Sequence, residues 1–418
     1  MIEKNKSLTF STYLFFVMCY IEETMPYGQS LTFITLAMML VITFWNRRSI
    51  KIPVSGYIIY ILVMLLFCLS STLWAQSPDR TFTVVRGLLM TLIIMTIVFT
   101  CNHQSTRIED YLKIVMYGGY TVVIYSLLRY GASTVMDALK NDIRLTNSAL
   151  MNSNKLGMCA AYAIVINIYY ILYRKIKITD ILMIPSLVII AASGSRKSIL
   201  IIIAGLLMLV IMKSYKKEKF TKNLGKGIVG VALSILLIYG LLQLPIFSNV
   251  VARVTALSTR SRNYRGIVAS DIRSVYNYIG WNLFKSHPII GIGIHNASLY
   301  ISQYYGHPHL HNNFIELLAC GGIVGFLIHY SFYIFLFYSF WKYRKKRNSE
   351  YDIFLVLLLI RFVMGYGHIQ YFQIENYFYL MIFYLFVKKL QTNDEIVSDG
   401  ENVANDENVV EEVDYEQN

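Results

Sequence analysis

The stretch 307-HPHLHNNFIELLACGGIVGFLIHY-330 places three histidines and two asparagines directly before an apolar run. An apolar run of about 20 residues is long enough, as a helix, to cross roughly 30 Å of hydrocarbon. Similar runs recur along the chain, in which 56% of the 418 residues are hydrophobic and only 15% are charged. The mean hydropathy is +0.48. The sequence therefore predicts a membrane protein that crosses the bilayer several times.

The apolar runs predict an all-α polytopic fold with about twelve transmembrane helices. The predicted spans are residues 8–24, 29–45, 54–73, 81–101, 108–128, 154–173, 178–194, 198–213, 227–245, 312–340, 352–370 and 375–388. The first run could be a signal peptide, but Glu22 and Glu23 follow it instead of a small-residue cleavage site. If the amino terminus is cytoplasmic, the densest basic segments, such as 342-KYRKKR-347, lie inside, as the positive-inside rule requires. Both termini are then expected in the cytoplasm.

The distribution of charge divides the chain into two parts. Residues 1–389 are expected to form the membrane domain. Residues 390–418 hold ten of the 25 acidic residues and no Lys or Arg, which predicts a disordered cytoplasmic tail. The five cysteines lie inside or beside apolar runs and form no C-x-x-C pair, so neither a disulfide framework nor a thiolate metal site is expected.

One predicted external loop, residues 246–311 between spans nine and ten, is much longer than the other connections. It should be partly helical, with a helix over 271–286 that Pro288 ends. Its charge is strongly basic, with one acid, Asp271, against six basic residues. These are Arg253, Arg260, Arg262, Arg265, Arg273 and Lys285. Because arginine binds phosphate through two parallel hydrogen bonds, the loop predicts a phosphate or diphosphate ligand. The alternative is a basic loop that rests on anionic lipid headgroups.

Three further arginines are predicted at the outer surface of the membrane, on the same side as the long loop. Arg80 lies in a short outer loop, and Arg86 lies nearly two turns inside the fourth span. An arginine at that depth usually faces the bundle interior and serves a site, although it can instead snorkel outward. Arg196 follows Gly194 in a tight turn, beside a helix amino terminus whose free N–H groups attract anions. A helical hairpin with a merely snorkelling arginine is the alternative there.

The alternating His307, His309 and His311 invite a zinc hypothesis. However, this spacing brings ligands together only on a strand, no carboxylate or cysteine stands nearby in the sequence, and Pro308 disturbs the geometry, so no metal is expected. His311 at the start of span ten has a side chain suited to removing a proton from a hydroxyl group. Asn312 and Asn313 could orient it or bind a polar substrate. An interfacial histidine without a chemical role is the remaining alternative.

Five short motifs, taken in order, resemble the O-antigen ligase and Wzy-type polysaccharide polymerase superfamily over about residues 54–340. They are W-A-x-S-P-D-R at 74–80, N-S-N-K-L-G at 152–157, G-S-R-K-S at 194–198, H-P-x-x-G-I-G at 287–293 and H-N-N-F-I-E-L-L-A at 311–319. The resemblance implies a metal-independent glycosyltransferase of the cytoplasmic membrane that needs no cofactor. The implied donor is an undecaprenyl-diphosphate-linked oligosaccharide, and the implied acceptor is a glycan on the extracytoplasmic face.

The resemblance also assigns residues and partners. By the resemblance, Arg196, Arg273 and His311 are expected to be catalytic, and Arg86, with Arg80 second, is expected to bind substrate. The basic loop and the residues beside His311 add Arg265, Asn312 and Asn313 to the expected substrate-binding residues. Flippase and chain-length regulator proteins are the expected protein partners, and no nucleic acid is expected. Polymerisation of repeat units into a capsule, exopolysaccharide or O-antigen is the favoured function, with ligation of a finished glycan as the alternative. A lipid-glycan transporter is disfavoured, because the chain shows no internal repeat.

Overall fold

The structure is a computed structural model. It describes residues 6–25, 27–47, 51–104, 106–140, 145, 152–174, 176–214, 240, 262–264, 267–269, 272–305 and 309–392. Arg265, His307, all but one residue of the predicted ninth span and the acidic tail from residue 393 lie outside the described residues.

The described residues form thirteen α-helices and one short β-hairpin. The helices are α1 (Lys6–Ile21), α2 (Gly28–Arg47), α3 (Gly56–Ser70), α4 (Pro78–Asn102), α5 (Ile108–Lys140), α6 (Ser153–Tyr173), α7 (Met183–Ser193), α8 (Arg196–Ser214), α9 (Ile272–Ser286), α10 (Ala297–Tyr305), α11 (Asn313–Lys342), α12 (Ser349–Met364) and α13 (374–392). The antiparallel strands are β1 (Arg262–Tyr264) and β2 (Ile267–Ala269). The fold is therefore almost entirely helical, and the hairpin is an addition to the predicted all-α fold.

Seven of these helices are long and apolar enough to cross a membrane. They cover Gly28–Asn46, Gly56–Leu73, Pro78–Asn102, Ile108–Leu139, Ser153–Tyr173, Arg196–Ser214 and Asn313–Lys342. This confirms a multi-pass membrane protein and the predicted spans two to six, eight and ten. At the predicted positions of spans one, seven, eleven and twelve the structure also has helices, three of which are shorter. The count of twelve spans stays a prediction.

Helices α6 and α13 form the interior of the bundle. Helix α6 packs against α5, α7, α8 and α12. In α13, every residue from 375 to 387 is buried. A helix that is buried on all sides must be surrounded by other helices, and it fixes their relative positions.

The long loop returns to the bundle at a kink in α11. The kink is at Gly322, which has φ +60°. The Ile292 amide donates to the Ala319 carbonyl at 3.1 Å, and the Ile323 amide donates to the Pro288 carbonyl at 2.8 Å. A Cβ atom at Gly322 would lie 2.3 Å from the Ile289 carbonyl oxygen, so this approach requires glycine. Helix α9, which matches the predicted helix at 271–286 to within one residue, packs against α11.

Candidate functional site

The first feature of the site is the backbone at His311, immediately before α11. His311 has φ +59°, a left-handed conformation that is uncommon for a residue other than glycine. Its half-buried imidazole stacks on Tyr276 of α9, with ring centroids 6.2 Å apart and an angle of 22° between the planes. Arg273 lies three residues before Tyr276 and is also half-buried. Because residues three apart share a helix face, Arg273 and the histidine lie on the same side of α9.

Asn312 connects α9 to the start of α11. Its side-chain oxygen accepts hydrogen bonds from the amides of Phe314 and Ile315, at 3.1 and 3.4 Å. This is a standard N-cap, which satisfies amides that the first helical turn leaves free. Its Nδ2 donates to Asn277 Oδ1 at 3.2 Å. Asn312 therefore fixes the backbone directly after the histidine, and both its orienting role and direct substrate binding stay predictions.

Asn313 connects the start of α11 to the segment 365–373, which joins α12 to α13. Its Nδ2 donates to the Tyr330 hydroxyl at 2.9 Å, and its Oδ1 accepts from the amides of Gln370 and Tyr371 at 2.8 and 3.2 Å. The side chain is fully buried. These contacts occupy its amide group, so Asn313 belongs to the framework of the site, and substrate binding by it also stays a prediction.

His368, in the segment 365–373, is the centre of a group of basic side chains. Burial and the nearby charges of Arg361, Lys197, Lys155 and His311 lower its pKa well below the usual value for histidine. We call His368, Arg361, Lys197, Lys155 and His311 the basic cluster. Its members come from α6, α8, α12, the start of α11 and the segment 365–373. Contacts between Lys197 and the Gly367 carbonyl, Lys155 and Glu375, and Asn313 and the Gln370 amide bring these parts of the chain together at one end of the bundle.

Two of the cluster's contacts position the starts of α6 and α8. Lys197 donates to the Gly367 carbonyl, and Lys155 lies 3.6 Å from the Glu375 carboxylate. A Cβ atom at Gly157 would lie 2.5 Å from Ser198 Oγ and 2.9 Å from Ser193 Oγ, so α6 packs closely on the start of α8 and on the turn before it. That turn contains Gly194 at φ +58°, as its predicted role in the chain reversal requires.

The predicted arginines have different environments. Arg196 is the first residue of α8, is half-buried and directly precedes Lys197. Arg80 donates from Nη1 to Ser298 Oγ at 2.6 Å, which joins α4 to α10. Arg86, by contrast, is exposed on α4. It lies on one helix face with Phe82, Leu89, Met90 and Ile93, which are all exposed apolar residues. Arg86 was predicted to face the interior of the bundle, with an outward, snorkelling side chain as the alternative. Its exposed position matches the alternative better.

A second group of side chains lies beside the basic cluster. The rings of His295 and His309 have centroids 4.9 Å apart, and Phe372 lies 5.3 Å from His309. Burial and the nearby Arg80 lower the pKa of His295. The buried Glu316 accepts a hydrogen bond from the Leu310 amide at 2.8 Å. A carboxylate oxygen of Glu316 and one ring nitrogen of each histidine all lie within 4.8 Å of one another. The expectation that no carboxylate stands near the histidines is therefore wrong, because one turn of α11 brings Glu316 back beside His309.

Sequence reasoning missed His368, Lys197, Lys155, Glu316 and His295 as parts of the site. Lys155 and Lys197 stand inside the motifs quoted above, so a basic residue at the start of a predicted span was the available signal. His368 had a weaker signal, a polar residue near the end of the predicted eleventh span.

These features define a multi-pass membrane protein with a basic, histidine-containing site at one end of its helices. Residues 181–330 match the family described as O-antigen ligase. This match contains Arg196, Arg273 and His311, and it confirms the resemblance to the O-antigen ligase and Wzy-type superfamily. The family indicates a membrane enzyme of the glycosyltransferase type. A search of curated proteins found no match.

Proposed function

We propose that the protein polymerises undecaprenyl-diphosphate-linked oligosaccharide repeat units into a cell-surface polysaccharide, such as a capsule, exopolysaccharide or O-antigen. The observation that carries this proposal is that His311 lies two residues before Asn313, which accepts the Gln370 amide of the segment that Lys197 also contacts, within the stretch that matches the O-antigen ligase family. A base beside several cations is the arrangement that transfer from an anionic donor needs.

The cations would bind the donor's diphosphate. Arg196 stands next to Lys197 of the basic cluster, and Arg273 lies one turn from the Tyr276 ring that stacks on His311. Guanidinium groups form paired, charge-assisted hydrogen bonds with phosphate oxygens. In this role they stabilise the negative charge that grows on the diphosphate as it leaves. The arginines would therefore act on the leaving group and the histidine on the attacking hydroxyl, on opposite sides of the anomeric carbon.

His311 would act as the general base. It takes the proton of an acceptor sugar hydroxyl, whose oxygen attacks the anomeric carbon of the donor. The bond from that carbon to the diphosphate oxygen breaks, and its electron pair leaves with undecaprenyl diphosphate. The anomeric configuration inverts in this single displacement. The Tyr276 ring and the Asn312 cap hold the imidazole and its backbone in place for this step.

The charges at the opposite end of the bundle support an extracytoplasmic site. There, Arg174 pairs with Glu109 at 2.8 Å and Arg347 pairs with Asp352 at 2.5 Å. The basic segment 342–347 lies at the same end. If the positive-inside rule holds here, this end would face the cytoplasm, and the basic cluster would then lie on the outer face of the cytoplasmic membrane. A lipid-anchored donor would reach the cluster there while the growing glycan lies in water.

Ligation of a finished glycan to a different acceptor is the second candidate, because the matched family is described as O-antigen ligase. Both candidates use the same donor chemistry and differ in the acceptor. The purified protein should be given a lipid-linked repeat unit alone, and the products should be separated by size. A ladder of longer chains supports the polymerase. Extension only after a second acceptor is added supports the ligase, and no transfer in either case contradicts both.

A further inference from the structure

Three potential metal ligands meet between the end of the long loop and the start of α11. They are His295, His309 and Glu316, and their ligand atoms all lie within 4.8 Å of one another. Two imidazoles and one carboxylate form a recognised zinc ligand set, with a fourth position for water. We propose that these three side chains bind one zinc-like divalent ion, which holds the end of the loop against α11.

The burial of Glu316 is the first observation that points to a cation. Its side chain is fully buried. Its Oε2 accepts the Leu310 amide at 2.8 Å, and its Oε1 lies 3.9 Å from Cys320 Sγ. In the part of the chain that the structure describes, no lysine or arginine forms an ion pair with it. A buried carboxylate without a cation is unfavourable, and a divalent ion would provide the missing charge.

The conformation of His295 is the second observation. Its φ is +64°, so the backbone adopts a strained, left-handed conformation at a residue other than glycine. Its Nδ1 is buried and, among the described residues, has no hydrogen-bond partner. Such strain persists only where the surroundings impose it. Here Asn296 Oδ1 accepts the Ser77 amide at 2.7 Å, and the Gly293 amide donates to the Cys320 carbonyl at 3.0 Å, which fixes the residues on both sides.

The ligand types indicate which ions would bind. Imidazole nitrogen favours zinc and neighbouring transition metals, whereas magnesium and calcium prefer sites made of oxygen atoms. Zinc ligands form bonds of about 2.0–2.2 Å, so small side-chain rotations would bring the three atoms into range. Because His309 is two residues from His311, the ion would also stabilise the backbone that presents His311. The glycosyl transfer proposed above does not pass through this ion.

Zinc titration of the full-length protein in detergent tests this site. The protein is treated with a chelator, the chelator is removed, and binding is followed by calorimetry with the metal content measured independently. We expect one zinc per chain. His295→Ala and Glu316→Gln should each weaken binding at least about tenfold, because each removes a ligand. The matched control His287→Ala changes an exposed histidine at the end of α9 and should bind like wild type.

Substitution of Arg80 provides a second comparison, in which zinc affinity should rise instead of fall. Arg80 donates to Ser298 Oγ, which itself donates to the His295 carbonyl at 2.7 Å, so the arginine charge lies close to the site and should repel a bound cation. Arg80→Gln is therefore expected to bind zinc several-fold more tightly than wild type. Absence of one-to-one binding by wild type, or equal binding by wild type, His295→Ala and Glu316→Gln, would overturn the proposal.

Cobalt substitution provides a test on wild-type protein, in case the ligand variants fold poorly. Cobalt(II) held by two imidazoles and a carboxylate should absorb in the visible range without a strong near-ultraviolet band from thiolate. A strong thiolate band would place the ion on a cysteine and contradict the site. None of these measurements uses a glycan substrate. The zinc-site proposal and the proposed enzyme activity can therefore be disproved independently of each other.

Discussion

The start of α11 and the first half of α4 both carry residues that the sequence analysis assigned to the site, but the structure gives them different environments. His311 is half-buried against Tyr276, and Asn312 and Glu316 hold the backbone around it. Arg86 lies on an exposed face of α4 among apolar side chains. Depth in the membrane can be read from position along a helix. Whether a side chain faces a site or the lipid depends on which face of the helix carries it. Packing between helices determines which face is turned inward.

The strongest test of this difference is His311→Ala. Loss of a general base typically slows a reaction by about 10²–10⁴-fold. We expect glycan extension by the purified variant to fall at least about 100-fold, while the amount of protein inserted in the membrane stays the same. His287→Ala, which changes an exposed histidine, is the matched control and should keep wild-type activity. Normal chain extension by His311→Ala would remove this residue from the mechanism.

Arg273→Lys should have the next largest effect. A lysine keeps the charge but replaces the planar guanidinium with a point charge, so paired hydrogen bonds to phosphate are lost. We expect initial rates at least about tenfold below wild type, a loss of about 1.4 kcal/mol in transition-state stabilisation. Lys285→Arg, at the exposed end of the same helix, is the control and should be unchanged. Equal rates for Arg273→Lys and wild type would mean that the guanidinium shape is not needed.

Asn313→Ala should mainly reduce stability. The substitution leaves the Gln370 and Tyr371 amides without the side-chain oxygen that accepts their hydrogen bonds. An unsatisfied buried group costs about 1–3 kcal/mol. Thermal unfolding in detergent should therefore shift to a lower midpoint than wild type. Gln29→Ala, at an exposed position in α2, should show no shift. An unchanged midpoint for Asn313→Ala would show that the hydrogen bonds to the segment 365–373 contribute little to the stability of the fold.

Arg86→Gln should have the smallest effect. An arginine on an exposed, apolar helix face places its charge at the membrane surface and contributes little to an interior site. We expect initial rates within about twofold of wild type in the same extension assay. A loss as large as that of Arg273→Lys would restore the original prediction that Arg86 binds the donor.

The sequence predicted the parts of the fold that depend on local pattern. Hydropathy located seven spans, and Pro288 and the apolar face of residues 272–286 correctly predicted α9. The position of Gly194 in the turn before α8 was also correct. Each of these features depends on residues that are close together in the chain.

The features that the sequence did not predict depend on packing between distant segments. Lys197 reaches the Gly367 carbonyl and Lys155 reaches Glu375 only because α6, α8 and the segment before α13 share one end of the bundle. The carboxylate of Glu316 reaches His309 through one turn of α11 and a left-handed residue at position 311. Hydropathy also could not distinguish α13, which other helices surround, from a helix that faces lipid.

Photo-crosslinking tests most directly whether the anionic donor binds beside His311. An undecaprenyl diphosphate analogue with a photoreactive group next to the diphosphate would be activated on the purified protein, and the labelled peptides would be identified by mass spectrometry. The account predicts labels in residues 194–198, 272–276 and 309–313, and competition by unmodified undecaprenyl diphosphate should remove them. Competable labelling confined to α4 around Arg86, or to the opposite end at residues 342–347, would contradict it.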